Sequence, residues 1–172
     1  MMAGVGTGTG GLPTPTLSGD DLVGTWHIVR TTFPMWTGGR NLAPTLHYAR
    51  LPGVDSHRLD DRVTYRRGAK TKQISGVDEQ DPAQPNHFRW RGRGLLALLR
   101  SDWYVVDLDR EAGVLAIYFS KTLVTPEGLD LATRAAEPEP APLAACVARL
   151  RAWPALHPQL DGLVEIHHRL SR

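Results

Sequence analysis

The chain has 172 residues, 41% of them apolar, and a net charge of +2. That length fits one domain with a sizeable core, and no apolar run is long enough to span a membrane as a helix. So small a charge argues against a nucleic-acid partner, and a single cysteine, Cys146, excludes an internal disulfide and a cysteine-based zinc site.

Residues 1–18 are mostly Gly, Thr, Pro and Ser with little to bury, so they read as a disordered leader to a domain covering 19–172. The leader lacks a basic patch followed by an apolar stretch, which makes the cytosol the expected compartment. Eight short segments follow, rich in β-branched and aromatic residues and separated by turn chemistry. They cover 22–33, 42–51, 62–67, 71–77, 87–92, 102–108, 114–120 and 129–134. Thirteen prolines and seventeen glycines supply the punctuation between them. The polar stretch 78–85 reads as a connection. After a Pro-rich linker, Leu143, Cys146, Val147, Leu150 and Trp153 recur at helical spacing, with Arg149 and Arg151 off the stripe. This predicts a helix over 143–153, ended by Pro154. A last short strand fits within 162–168. The expected fold is mostly β: an eight-stranded antiparallel up-and-down barrel with one C-terminal helix packed outside.

Side chains alternate faces along a strand. Trp26, Ile28 and Arg30 therefore share a face, as do Leu42, Leu46 and Tyr48, and Asp61, Val63 and Tyr65. Phe88 and Trp90 oppose His87, Arg89 and Arg91. Trp103, Val105 and Asp107 form another set. The inner wall is predicted to carry Trp26, Tyr48, Tyr65, Phe88, Trp90 and Trp103. An eight-stranded barrel is either filled by its own side chains or holds one small ligand. Alternation predicts an apolar interior in both cases.

Gly24-Thr25-Trp26, at the start of the first strand, resembles the Gly-x-Trp signature of the lipocalins. The order of elements is similar too: a long first loop, eight strands, a helix and a short last strand. The resemblance implies that Trp26 closes the bottom of a barrel, with a late arginine packed across it. Arg134 is the position that matches. The stretches 89–92 and 118–123, the latter with 125–128, resemble an uncharacterised group of lipocalin-like microbial proteins.

The loop 33–40 carries Met35 and Trp36, which are either a lid over an apolar ligand or a plug that completes the core. Charged groups on an inward face are costly unless paired or used, which marks Arg30 and Asp61, and secondarily Asp107. Tyr48 and Tyr65 are candidate hydrogen-bond donors to a ligand carbonyl. The alternation of basic and aromatic residues over 87–93 puts the two kinds on opposite faces, against single-stranded nucleic-acid binding. His47, His57, His157, His167 and His168 form no metal motif, no nucleotide-binding loop is present, and Cys146 lies on the apolar stripe as an inert thiol. The leading expectation is binding of a small, largely apolar organic molecule by Met35, Trp36, Tyr48, Tyr65, Phe88, Trp90 and Trp103. The alternative is a cofactor-free cyclase or isomerase of natural-product biosynthesis, with Arg30, Tyr48, Asp61 and Tyr65 as its polar groups. Neither reading calls for a metal, a cofactor, a nucleic acid or a membrane.

Overall fold

A computed structural model describes residues 11–53, 57–123 and 125–169. Its strands are β1 (Gly24–Thr31), β2 (Leu42–Arg50), β3 (Arg58–Arg67), β4 (Lys70–Asp81), β5 (Gln84–Gly92), β6 (Arg100–Asp109), β7 (Val114–Phe119), β8 (Gly128–Thr133) and β9 (Val164–Glu165). Each of the first eight pairs antiparallel with the next, and β1 pairs with both β2 and β8, so they close into an up-and-down barrel. β1 is shared along its length. Gly24 to His27 pair with β2; beyond that point β2 leaves, and β9 pairs with Arg30 and Thr31.

Alternation builds two cores from one wall. The inner face supplies Trp26, Ile28, Leu46, Tyr48, Leu59, Phe88, Trp103, Val105, Leu115 and Ile117. The outer face of β6 to β8 supplies Val106, Val114, Ala116, Leu129 and Leu131, and these meet Leu143, Cys146 and Leu150 of α2 (Pro140–Leu150). All six residues of β8 are buried because both of its faces are covered. Arg149, off the apolar stripe, reaches back from α2 to Asp107 on β6 with two hydrogen bonds of 3.0 and 2.7 Å. No described helix is long and apolar enough to cross a membrane.

The helix lies three residues earlier than the predicted 143–153. Pro140 takes the first helical position, where a missing N–H costs nothing, and the helix closes before Trp153 and Pro154. A second short helix, α3 (His157–Asp161), also caps the outer core through Leu160 and was not anticipated. β4 runs on to Asp81, through the stretch expected to be a connection. Residues 11–18 are laid along the barrel rather than free. Leu17 is buried, its carbonyl accepts from Gln80 Nε2 at 3.4 Å, and the Pro13 carbonyl accepts from Asn86 Nδ2 at 3.3 Å. The rest of the expected leader, 1–10, lies outside the described residues.

Besides an irregularity at Gln80–Asp81 by the β4–β5 turn, three bulges among the described residues reset the alternation. One between Ile28 and Arg30 puts Arg30 opposite Leu131, on the outside, and Thr31 opposite Asp130, on the inside. One between Val105 and Asp107 turns Asp107 out beneath α2 and brings Leu108 in. One between Leu42 and Thr45 turns Leu42 out. Arg30, Asp107 and Leu42 therefore do not face inward as strict alternation predicted, because an extra residue in a strand swaps every face beyond it.

Candidate functional site

The barrel floor is set by Trp26. Its Nε1 donates to the Leu22 carbonyl at 2.8 Å, and the Arg134 guanidinium lies 3.7 Å from its ring centre. Arg134 also donates to the Thr25 and Asp21 carbonyls, at 3.2 and 3.1 Å. Gly113, in the β6–β7 turn, makes room for it: a Cβ there would stand 2.9 Å from Arg134 Cγ.

Above the floor, aromatic rings fill the middle. Phe88 stacks on Trp103 at 4.3 Å, and Trp103 stacks on Tyr48 at 5.9 Å. All three are buried. Their role is therefore a packed layer, which answers half of the filled-or-empty question: the lower barrel is filled.

Three acids sit inside this layer. Asp61 is the cross-strand neighbour of Tyr48, and Asp78 accepts from Trp103 Nε1 at 2.9 Å. Asp61 and Asp78 act on each other's ionisation, and Asp61 Oδ1 and Asp78 Oδ2 are buried with no hydrogen-bond partner among the described residues. Burial pushes both carboxyls up, Asp78 furthest because it also faces the charge of Asp61. Two neighbouring buried charges are costly, which favours the neutral form of at least one of these carboxyls. Asp130 is the third acid. It accepts from Thr31 Oγ1 at 2.5 Å, and burial raises it to about 7. Tyr48 is raised well above its usual value by burial and by these carboxyls.

Towards the other end the inner face opens. Val63, Tyr65, Ile74 and Trp90 point inward yet are only half-buried. Val63, Tyr65 and Trp90 pack against the core on the β3–β5 side of the barrel, above the aromatic layer. Trp90 lies against Gly76, where a Cβ would meet its Nε1 at 2.2 Å. Its cross-strand neighbour Ser101 has a buried hydroxyl with no partner among the described residues. The β1–β2 connection folds over this end of the barrel. It contains α1 (Pro34–Thr37), which turns Trp36 in against Tyr65, edge to face at 5.3 Å, while Met35 stays exposed. Phe33 lies against Gly128, where a Cβ would meet its ring at 2.3 Å.

The structure thus brings Trp36 and Tyr65 together at the mouth, sets Trp90 on the same inner face against Gly76, and gathers Tyr48, Phe88 and Trp103 in the layer below, with Asp61 beside Tyr48. Met35 and Arg30 stand apart. Arg30 lines a concavity of about 410 Å³ outside the barrel, with Glu137, Glu165 and His168. Asp78 and Asp130 were missed. Asp130 was readable, since alternation already groups it with Ala132 against Leu129 and Leu131. Asp78 was hidden by the polar run around it. No cluster of metal-ligating side chains occurs among the described residues.

No protein-family profile matches the sequence, and no curated protein matches it in sequence. Solved structures do match in shape. Lobster apocrustacyanin A1 is similar with a TM-score of 0.65 at 11% identity, over 88% of this chain and 79% of that one. The siderocalin Ex-FABP is similar with a TM-score of 0.60 at 12% identity, over 88% of this chain and 97% of that one. Trp26 and Arg134 stack at the closed end of this chain's barrel, as the Gly-x-Trp resemblance implied. The chain has the lipocalin fold. H1 crustacyanin from Homarus americanus shares it, with a TM-score of 0.61 at 10% identity over 91% of this chain and 80% of that one. At such low identity the likeness concerns the lipocalin fold and not its cargo.

Proposed function

We propose that this lipocalin-fold protein binds a small, largely apolar organic molecule in a cup at its mouth. The observation that carries the reading is the half-burial of Val63, Tyr65, Ile74 and Trp90 on an inward face whose lower residues are sealed. Water-reachable aromatic side chains inside a barrel lose solvent when an apolar molecule enters. Trp36 and Tyr65 form the near wall, and the Tyr65 hydroxyl and Trp90 N–H make no hydrogen bond to a described residue. They offer two donors to a carbonyl or ether oxygen. Phe88, Trp103 and Tyr48 form the base, while Met35 lies at the rim. The name of the siderocalin structure, which speaks of dual ligand specificities for that protein, is compatible with this use of the fold. A cytosolic setting belongs to the proposal, since a domain with one thiol needs no oxidising compartment to fold.

The test is tryptophan fluorescence titration with a panel of apolar probes, a fatty acid and a polyene among them. Wild type is expected to bind one of them, and Trp90→Ala and Tyr65→Ala to weaken it about tenfold, the scale of one lost buried aromatic contact. Equal binding by wild type and both variants would place the ligand elsewhere and overturn the reading.

One observation favours a second reading, in which the same cup catalyses a cofactor-free cyclisation or isomerisation. Two buried carboxyls with unpartnered oxygens, Asp61 and Asp78, lie in the layer beneath the cup, with Tyr48 the cross-strand neighbour of Asp61. Carboxyls pushed up by burial are suited to general acid–base work. Arg30 has no part in this version. Turnover of a candidate substrate by wild type and its loss in Asp61→Asn, with binding retained, would separate catalysis from carriage.

A further inference from the structure

Antiparallel topology puts the β1–β2, β3–β4, β5–β6 and β7–β8 connections at one end of the barrel, the mouth. Two of these connections expose leucines completely. Leu95 and Leu98 on β5–β6 are 105% and 92% exposed, and Leu123 on β7–β8 is 105% exposed. Leucines are common on surfaces singly, but three at full exposure on one end need a partner.

The charges at that end are one-sided. Arg40, Arg66, Arg67, Lys70, Lys72 and Lys121 lie on or beside these four connections, and none has a carboxylate partner among the described residues. Within segments 32–41, 66–72, 91–100 and 120–127 the only acid is Glu127, whose carboxylate accepts from the Tyr118 hydroxyl at 2.5 Å. At the opposite end the acids are matched by arginines: Asp20 pairs with Arg50, Asp21 with Arg110, and Asp81 with Arg89. The net charge of +2 therefore conceals a concentration of cations without carboxylate partners at the mouth.

We propose that the mouth docks on an anionic lipid surface, with Leu95, Leu98 and Leu123 inserted between headgroups and the cations set against them. Apolar tips ringed by lysine and arginine are the chemistry that such a surface recognises. A lipid surface meets all four connections at once, as a broad face. A second copy of the chain docked mouth to mouth would bring two cationic rims together, which like-charge repulsion opposes. The sequence, lacking a spanning segment, suggested no membrane partner; peripheral docking needs no such segment. Docking here would place the cup against the layer in which apolar molecules dissolve, but the surface stands on its own residues whether or not the cup binds a ligand.

The test is co-sedimentation with vesicles of phosphatidylcholine alone or with one-third phosphatidylglycerol. Wild type is expected to sediment with the anionic vesicles at least tenfold more than with neutral ones, and less at high salt. The double variant Leu95→Asp, Leu98→Asp alters only exposed tips, and is expected to lose at least tenfold. Lys70→Glu with Lys72→Glu is expected to lose several-fold. A fluorophore placed at Leu98→Cys (Cys146 being buried) is expected to shift to the blue on anionic vesicles. No binding to anionic vesicles, or equal binding by wild type and both variants, overturns the proposal. So does concentration-dependent self-association without lipid that the leucine variant abolishes, which would assign the face to a second copy. None of these outcomes depends on the fluorescence titration of the cup, so the two readings fail separately.

Discussion

The Arg134 guanidinium lies over Trp26, 3.7 Å from the ring centre, and joins the two ends of the barrel sequence across its floor. Arg134 follows β8 and Trp26 is the third residue of β1. The contact combines a cation–π attraction with hydrogen bonds to two carbonyls. Arg134→Ala is expected to cost about 1–3 kcal/mol, and Arg134→Lys to recover only part of it, because a single ammonium cannot both cover the ring and reach two carbonyls. Urea denaturation of the three proteins checks this. No difference between Ala and wild type would remove the arginine from the account of stability.

The buried acids make a pH-dependent contribution whose sign is unusual for carboxylates. Asp130 titrates near 7 when folded and near 4 when unfolded. Between those values the native state holds a proton that the unfolded chain has lost, so this group's contribution to stability falls as pH rises through that window and levels off above it. Asp61 and Asp78, also raised by burial, pull the same way. Asp21 and Asp81 pull the other way, held low by Arg110 and by the Ala83 N–H respectively. The difference between wild type and Asp130→Asn is therefore the informative quantity. The variant keeps an oxygen for Thr31 and is expected to gain about 1–3 kcal/mol over wild type at pH 8 relative to pH 4.5. Parallel stability curves across that range would argue that Asp130 is ionised throughout.

Gly76 is defined by its neighbour. A Cβ there would overlap the Trp90 indole, and the Arg91 carbonyl stands 2.6 Å from the same point. Backbone cannot yield as a side chain does, so Gly76→Ala is expected to destabilise by about 2–3 kcal/mol and to swing Trp90 from the cup. Thermal unfolding and a changed tryptophan emission would show both effects. An unaltered spectrum would mean that the indole rests elsewhere.

Cys146 faces the outer core, and burial pushes its thiol well above the usual range, helped by nearby Asp107. Only the thiolate reacts, so a disulfide reagent is expected to modify the folded protein at least a hundredfold more slowly than the unfolded chain. Fast modification without denaturant would show that α2 leaves the barrel readily.

Much of the inner wall was legible because alternation is a geometric property of extended chain. Trp26, Tyr48, Tyr65, Phe88, Trp90 and Trp103 all point where it places them. Arg30 and Asp107 escaped because a bulge is a backbone event with no side-chain signature in Ile28-Val29-Arg30 or Val105-Val106-Asp107. The bulge near Leu42 did leave a trace: Pro44 cannot donate to a ladder, and Ala43 adopts a φ of 52°. Asp78 was unreadable for a different reason. An acid facing water and an acid facing a core look alike in Val77-Asp78-Glu79, and only the closed barrel tells them apart. Met35 and Trp36 separate because one turn of helix sends neighbouring side chains in different directions, which a loop reading does not anticipate.

The two residue pairs by which β9 joins β1 protect more than their own hydrogen bonds. Where β2 departs, β1 has a bare backbone flank at Arg30 and Thr31, the kind of edge along which separate chains polymerise. The C-terminal segment covers that flank and is tied down next to it, with Ile166 N donating to the Val29 carbonyl at 2.8 Å and His168 Nε2 lying 2.8 Å from the Ile28 carbonyl. A chain cut after Gly162 would keep its barrel, its floor and its cup. It would also expose a sticky seam beside the mouth, so that solubility rather than folding would be the first property lost.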